Sequence, residues 1–209
     1  MTQAPPTLLM RALGRRMRYT YLQPCQPRPA TLSTQLVGEI TGENRAVLEE
    51  LGVAAEISTA GGAPSPVTAT LPSGDTIQGD HAVSRYICSQ HAPALCGAGD
   101  ALVAADVDQY LAAAANHADA PPDELQPLLT HLDARLATRT FLAGHSLTLA
   151  DVAMWALFSQ EKASLEARAS REEQPRYPHA ARWLRSMWAR KGFVRAAALC
   201  QGGDAAASV

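Results

Sequence analysis

The spacing of apolar residues changes along the chain and divides it into two parts. Between residues 31 and 97, short apolar runs alternate with two stretches of helical spacing, which predicts the order β-α-β-β-β-α. From Asp100 onward the apolar residues recur three and four positions apart, which predicts helices only. The pattern therefore predicts a small α/β unit followed by an all-α bundle.

Turn and stop signals give these elements approximate limits. Gly52 is typical of a residue that ends a helix, and Pro72–Asp75 is typical of a turn between strands. In the first part the predicted strands are Leu32–Val37, Ala54–Thr59, Val67–Leu71 and Thr76–Gln78, and the predicted helices are Glu43–Leu51 and Asp80–Gln90. In the second part the predicted helices are Leu102–His117, Pro127–Thr138, Leu149–Ala169 and Pro178–Lys191, the last of them ended by Gly192.

The two ends of the chain differ in composition from the rest. Residues 1–30 contain five Arg and no acidic residue, and we expect a basic, proline-rich extension that is disordered or acts in targeting. Such a segment is compatible with an organelle transit peptide. The expected location is therefore the cytoplasm, with a mitochondrion or plastid as the alternative. Residues 201–209 are expected to form a disordered tail.

Charge and length exclude some classes of protein. The net charge is −2, and a dense basic face interleaved with aromatic residues is missing, so no direct nucleic-acid binding is expected. Residues 39–160 carry 15 acidic residues against four Arg, whereas residues 161–195 carry nine Lys or Arg against four Glu. No apolar run approaches the roughly 18 residues of a membrane-spanning helix, so we expect no membrane partner.

Cysteine and histidine spacing offers no metal site. The four cysteines are dispersed, no two of them form a CxxC pair, and none has zinc-ligand spacing with histidine. A chain of 209 residues can bury a core without cross-links, so the scattered thiols favour a reducing compartment. The cysteines are Cys25, Cys88, Cys96 and Cys200.

The sharpest local pattern precedes the most apolar helix. Thr148 is the predicted N-cap, with its hydroxyl accepting the Asp151 amide while the Asp151 carboxylate accepts the Thr148 amide. Leu147 and Val152 flank this capping box and can form a hydrophobic staple. The helix is apolar on nearly every side, so it should lie centrally and need a structural cap. Replacing Asp151 with Ala should cost roughly 1–2 kcal/mol.

This stretch carries a family resemblance. Gly144-x-x-Leu-Thr-Leu-Ala-Asp151 at the start of a buried helix resembles the C-terminal domain of the glutathione transferase superfamily. The longer stretch Arg139–Trp155, with His179-x-x-Arg-Trp183, is similar to the glutathione-transferase-like domain appended to eukaryotic glutamyl- and glutamyl-prolyl-tRNA synthetases. The resemblance implies a degenerate thioredoxin-like domain at 31–97 and a transferase C-terminal-like helical domain at 100–200.

The same resemblance implies an active site that this chain lacks. The family needs a Ser, Tyr or Cys near the first helix to activate the glutathione thiol, and Gly38–Asn44 offers only Thr41 as a hydroxyl, between two Glu. Those carboxylates would raise a thiol pKa. Gly79-Asp80 stands where a Glu/Gln-Ser pair binds the γ-glutamyl end, and Pro66 could precede the third strand. We interpret Thr41 and Asp80 as helix caps and expect no catalytic, substrate-binding or metal residues.

The resulting hypothesis is a non-catalytic interaction module of the translation machinery, without a cofactor. Its expected partners are other glutathione-transferase-like domains of aminoacyl-tRNA synthetases or scaffold proteins in a multi-synthetase assembly, with a homodimer also open. Arg and Trp are enriched at interface hot spots, which makes one helix the candidate interface. Two alternatives remain: a glutathione-dependent transferase with an atypical site, and a relative of the elongation factor 1 gamma subunit. The candidate interface residues are Arg182, Trp183, Arg185 and Trp188.

Overall fold

The structure is a computed structural model of the 209-residue chain. The predicted extension at 1–30 and the predicted tail beyond Gln201 lie outside the described residues, and so does the part of the third predicted bundle helix beyond Ser159. The domain limits inferred from the sequence stay predictions. The described residues are 31–37, 41–58, 67–121, 123–159 and 176–201.

A four-stranded mixed sheet forms the first layer. In the order β2-β1-β3-β4, β1 runs parallel to β2 and antiparallel to β3, which pairs antiparallel with β4. Leu36 of β1 is opposite Ala69 of β3, and both side chains are fully buried, so the sheet presents an apolar face to the helices. The strands are β1 (Thr31–Val37), β2 (Ala54–Ser58), β3 (Thr68–Thr70) and β4 (Thr76–Gln78).

Six of the described helices follow the predicted order, with ends displaced by a few residues, and a further helix at Lys191–Gln201 was not predicted. They confirm the predicted fold class of a thioredoxin-like α/β half and a helical bundle, and a short 3-10 turn at Pro93–Cys96 joins the two. Within the described ranges, no helix has both the length and the apolar character to cross a bilayer. The helices are α1 (Gly42–Leu51), α2 (Asp80–His91), α3 (Ala101–Asn116), α4 (Gln126–Leu136), α5 (Leu149–Ser159), α6 (Pro178–Trp188) and α7 (Lys191–Gln201).

Helix α5 lies at the centre of the bundle, as its apolar sequence predicts. Every side chain from Leu149 to Trp155 is buried. The Trp155 ring meets the rings of Trp188 and Phe193 edge-on, with centroid distances of 5.3 and 4.8 Å. Edge-to-face contacts of this kind add to the free energy gained by burial alone. The last two helices are therefore held to α5 by a three-ring cluster.

The C-terminal region differs from the sequence prediction at Gly192. Helix α6 already ends at Trp188, and Gly192 lies in the first turn of α7 instead of ending a helix. A Cβ atom on Gly192 would come within 2.9 Å of the Glu50 backbone on α1. The Arg190 Nε also donates to Glu50 Oε1 at 2.9 Å. Glycine is thus needed for a close helix contact, which joins the α/β half to the end of the bundle.

Candidate functional site

The capping box surrounds a buried carboxylate. Asp151 is fully buried, and its Oδ1 accepts the Leu142 amide at 3.0 Å and the Trp183 indole N–H at 2.9 Å. Its Oδ2 accepts the Thr148 amide at 3.0 Å and the Thr148 hydroxyl at 2.9 Å. Burial raises the pKa of Asp151, and these four hydrogen bonds oppose the shift by stabilising the charged form.

One bond of the box runs in the direction opposite to the expectation. The sequence predicts that the Thr148 hydroxyl accepts the Asp151 amide, whereas that amide donates to the Thr148 carbonyl oxygen at 3.1 Å. The hydroxyl donates to the Asp151 carboxylate, because an ionised oxygen is a stronger acceptor than any neutral group nearby. The two expected staple residues, Leu147 and Val152, are both buried.

The four candidate interface residues do not form one outward surface. Trp183 is 1% exposed and points into the bundle, where its indole N–H donates a hydrogen bond to the Asp151 carboxylate. Trp188 is half-buried in the ring cluster on α5. Arg182 is exposed, but its Nη2 donates to the Leu136 carbonyl oxygen at 2.6 Å and so holds the end of α4. Arg185 is exposed and remains available on the outer side of α6.

The sequence does not predict the acidic residue that supports the start of α6. The Asp133 Oδ1 on α4 accepts the His179 amide at 2.7 Å and the Ala180 amide at 2.9 Å, so it caps α6 from a neighbouring helix. The sequence gives only an indirect sign of this contact. Tyr177 stands at the N-cap position of α6, and its side chain makes no capping hydrogen bond to these amides. That absence predicts an acceptor from elsewhere, without identifying it.

A polar cluster lies where α1 and α2 begin; we call Thr41, Glu43, Asn44, Asp80, His81 and Ser84 the α1–α2 polar cluster. The Asp80 Oδ1 accepts the Thr41 hydroxyl at 3.1 Å and the Asn44 side-chain amide at 2.9 Å. The Ser84 hydroxyl donates to the Asn44 Oδ1 at 3.0 Å, and both residues are fully buried. The cluster therefore ties the two helices together.

These bonds correct two sequence interpretations. Thr41 occupies the N-cap position of α1, but its side chain makes no capping bond there and donates to Asp80 instead. Gly79, not Asp80, is the N-cap residue of α2, and Asp80 lies in the first turn. A carboxylate is favourable there because helix N-termini carry partial positive charge. Residues 38–40 and Pro66, the other parts of the expected transferase site, lie outside the described residues.

An ion pair completes the cluster. The His81 Nδ1 lies 2.7 Å from the Glu43 Oε2, and Glu43 is only 3% exposed. The hydrogen bond to Glu43 raises the pKa of His81, and the charges of Glu43 and Asp80 add to the effect. Burial of the ring opposes the shift without reversing it. Together with Asp80, the pair places two carboxylates and one imidazole at the start of the helices.

Comparison with known proteins identifies this architecture. Residues 98–191 match the family model of the glutathione S-transferase C-terminal domain. The structure is also similar to the theta class glutathione S-transferase from Xanthomonas axonopodis pv. citri with glutathione bound, with a TM-score of 0.64 over 80% of this chain and 97% of that one. The protein has the glutathione transferase fold. The sequence identity to that enzyme is 20%, so the likeness concerns the fold alone.

Two other solved glutathione S-transferase structures are also similar to this chain. An epsilon-class glutathione S-transferase from the housefly, Musca domestica, has a TM-score of 0.62 and 19% identity over 81% of this chain and 97% of that one. A class Gtt2 glutathione S-transferase of Vibrio parahaemolyticus has a TM-score of 0.61 and 21% identity over 78% and 96%. By sequence, no curated protein gives a significant match. The resemblance to synthetase-appended domains is carried by the sequence motifs alone.

The geometry around Asp151 raises the expected cost of removing its carboxylate. Asp151→Ala leaves two buried amides and a buried indole without an acceptor, so we expect the free energy of unfolding to fall by about 3 kcal/mol or more. The measurement is urea unfolding followed by circular dichroism. Asp100→Ala is the matched control, because Asp100 caps α3 on the surface and its loss should cost about 1 kcal/mol. Equal losses in the two variants would contradict the role given to burial.

The His81–Glu43 pair should make stability depend on pH. Because the pKa of folded His81 is raised, the pair's contribution is complete below the unfolded value of about 6.5 and is lost as the pH rises through the folded pKa. Unfolding free energy measured from pH 6 to pH 9 should therefore fall less in His81→Gln than in the unmodified protein. His131→Gln, at an exposed histidine, should behave like the unmodified protein. Identical slopes for all three proteins would refute the assignment.

Proposed function

We propose that this protein is a non-catalytic member of the glutathione transferase fold that acts by docking with another protein. The observation that supports it most is the bond from the Thr41 hydroxyl to the Asp80 carboxylate. A glutathione thiolate needs donated hydrogen bonds or positive charge to form at neutral pH. The Thr41 hydroxyl already donates its proton to the Asp80 carboxylate, and the Glu43 carboxylate adds a second negative charge nearby.

Asp80 also opposes the binding of the tripeptide. By the family resemblance of the sequence, Asp80 stands in the pair that receives the γ-glutamyl end of glutathione. That end carries a carboxylate, and two carboxylates at one helix N-terminus repel each other. The first turn of α2, which would otherwise attract an anion, already contains the Asp80 carboxylate. The start of α2 is thus adapted to contact α1 rather than to hold a ligand.

The proposed docking surface lies between the end of α4 and the outer side of α6. A shallow cleft of about 450 Å³ there is lined by Arg139, Thr140, Arg182 and Ser186. Arg185 is exposed on the same helix as Arg182. Positive side chains on a rim favour an acidic partner surface. Following the motif resemblance, the partner we propose is a glutathione-transferase-like domain of an aminoacyl-tRNA synthetase or its scaffold.

A glutathione-dependent transferase is the second candidate. It is favoured by the structural relatives, which are described as glutathione S-transferases, one of them with glutathione bound. A relative of the elongation factor 1 gamma subunit is also compatible with the fold. A glutathione-dependent transferase must bind glutathione, whereas a docking protein need not. Glutathione binding is therefore the first property to measure.

Calorimetric titration with reduced glutathione separates the candidates. We expect no saturable binding below about 1 mM, because the thiol and the γ-glutamyl carboxylate both meet negative charge. Asp80→Ser should bind glutathione more tightly than the unmodified protein, whereas Asp119→Ser, at an exposed site, should not. Micromolar binding together with conjugation of an electrophilic chloronitrobenzene by the unmodified protein would favour the transferase.

Affinity capture from a native extract tests the docking partner. The tagged protein should recover aminoacyl-tRNA synthetases in stoichiometric amounts, and Arg185→Glu should reduce this recovery at least tenfold by reversing a rim charge. Arg185 is preferred to Arg182 for this test, because Arg182 holds the end of α4. Asp119→Lys, a charge reversal of equal size away from α6, should leave recovery unchanged. Recovery without any synthetase would exclude the proposed partner.

A further inference from the structure

Two of the dispersed cysteines meet in the folded protein. Cys88 lies on α2 and is fully buried, whereas Cys96 ends the 3-10 turn and is partly exposed. The Cys96 Sγ lies 3.7 Å from the carbonyl oxygen of Arg85, which stands one turn before Cys88 on α2. Neither thiol takes part in the α1–α2 polar cluster or in the proposed docking surface. We call Cys88 and Cys96 the thiol pair.

The turn that carries Cys96 has little freedom to move away from Cys88. Gly97 follows Cys96 with a φ of +76°, a left-handed conformation that favours glycine. A Cβ atom at Gly97 would lie 2.5 Å from the Ala104 backbone nitrogen, so the turn is packed directly on α3. At its other end, the 3-10 turn follows directly from α2, the helix that carries Cys88. The fold therefore holds Cys96 against the turn of α2 that carries Cys88.

Cys96 is also accessible from solvent. It lines an open cleft of about 550 Å³ together with Arg85, Ser89, Pro93 and Asp100. The Arg85 guanidinium, which is paired with Asp108 of α3, supplies a positive charge at this cleft. Small neutral oxidants can enter a cleft of this size, whereas Cys88 does not line it and has no exposed surface. The two thiols are thus arranged as an outer and an inner member.

The charges around the pair give the two sulfurs different roles. The hydrogen bond from Cys88 lowers the pKa of Cys96 to about 7, with help from Arg85 and against burial and the charge of Asp108. The same hydrogen bond, burial and the Glu43 charge raise the pKa of Cys88, so this thiol keeps its proton. Because the thiolate is the reactive form, Cys96 is the sulfur that reacts first.

We propose that the thiol pair is a redox site at which a hydroperoxide converts Cys88 and Cys96 into an intramolecular disulfide. The Cys96 thiolate attacks the peroxide oxygen, which forms an S–O bond, breaks the O–O bond and releases one water after protonation. The Cys88 sulfur then attacks the sulfenic sulfur; the S–S bond forms, the S–O bond breaks, and hydroxide leaves with the Cys88 proton as a second water. Hydrogen peroxide gains two electrons, one from each thiol, and a dithiol reductant reverses the reaction.

Mass spectrometry of the full chain carrying Cys25→Ala and Cys200→Ala tests the proposal, because only the thiol pair then remains. Brief treatment with hydrogen peroxide should lower the intact mass by about 2 Da, give a peptide that links residues 88 and 96, and be reversed by dithiothreitol. Adding Cys88→Ala should give instead a sulfenic acid at Cys96, trapped by dimedone. Oxidation of Cys96 to sulfinic acid without any linked peptide would overturn the proposal.

A rate measurement does not depend on substituting the buried thiol. Alkylation of Cys96 by iodoacetamide in the same protein should reach half its maximal rate near pH 7, and Arg85→Gln should move that midpoint upward. Arg195→Gln, at an exposed arginine that pairs with Glu49 and does not line the cleft, should not move it. A midpoint at about pH 8.5 or above, the value of an ordinary thiol, would overturn the role given to Cys96.

Discussion

The helical half of the molecule depends on one buried carboxylate. Removing a charge from water is costly unless every lone pair is satisfied, and Asp151 meets that condition with four donors. Those donors come from the loop at Leu142, from the start of α5 and from Trp183 on α6. The carboxylate therefore fixes three segments relative to one another at one point. The other contacts of α5, including the ring cluster around Trp155, are built on that arrangement.

The position of the α/β half follows from the bundle. Helix α1 packs against α7 at Gly192, where a larger residue would meet the Glu50 backbone, and the Arg190–Glu50 pair holds the same junction. This contact lies at the end of α1, and the α1–α2 polar cluster joins the start of α1 to α2. The polar side chains where α1 and α2 begin are thus engaged in hydrogen bonds between protein groups. The polar residues of the α1–α2 polar cluster are explained by the hydrogen bonds through which they stabilise the fold.

Sequence pattern predicted the elements well and their side-chain partners poorly, for a physical reason. Helix α5 was recognisable because it is apolar on all sides and begins with a local box whose two members are three residues apart. Helix α6 carries two apolar stripes, and periodicity does not say which one is buried, so Trp183 was assigned to a surface. The partner of Thr41 lies 39 residues away along the chain, a separation that only the folded topology closes.

The two ends of α2 would shift the pKa of a nearby thiol in opposite directions. At its start, Asp80 and the nearby Glu43 supply negative charge, and the hydroxyl of Thr41 is already bonded, so a thiol placed there would hold its proton. Near its end, the Cys88 thiol donates to Cys96, and Arg85 adds positive charge at the open cleft, so a thiolate is favoured there. Among the described residues, the thiol with the lowered pKa therefore lies at the cleft beside the end of α2, away from the α1–α2 polar cluster. Because the thiol pair shares no residue with Asp80 or Thr41, the hydrogen bonds at the start of α2 place no constraint on sulfur reactivity at the other end.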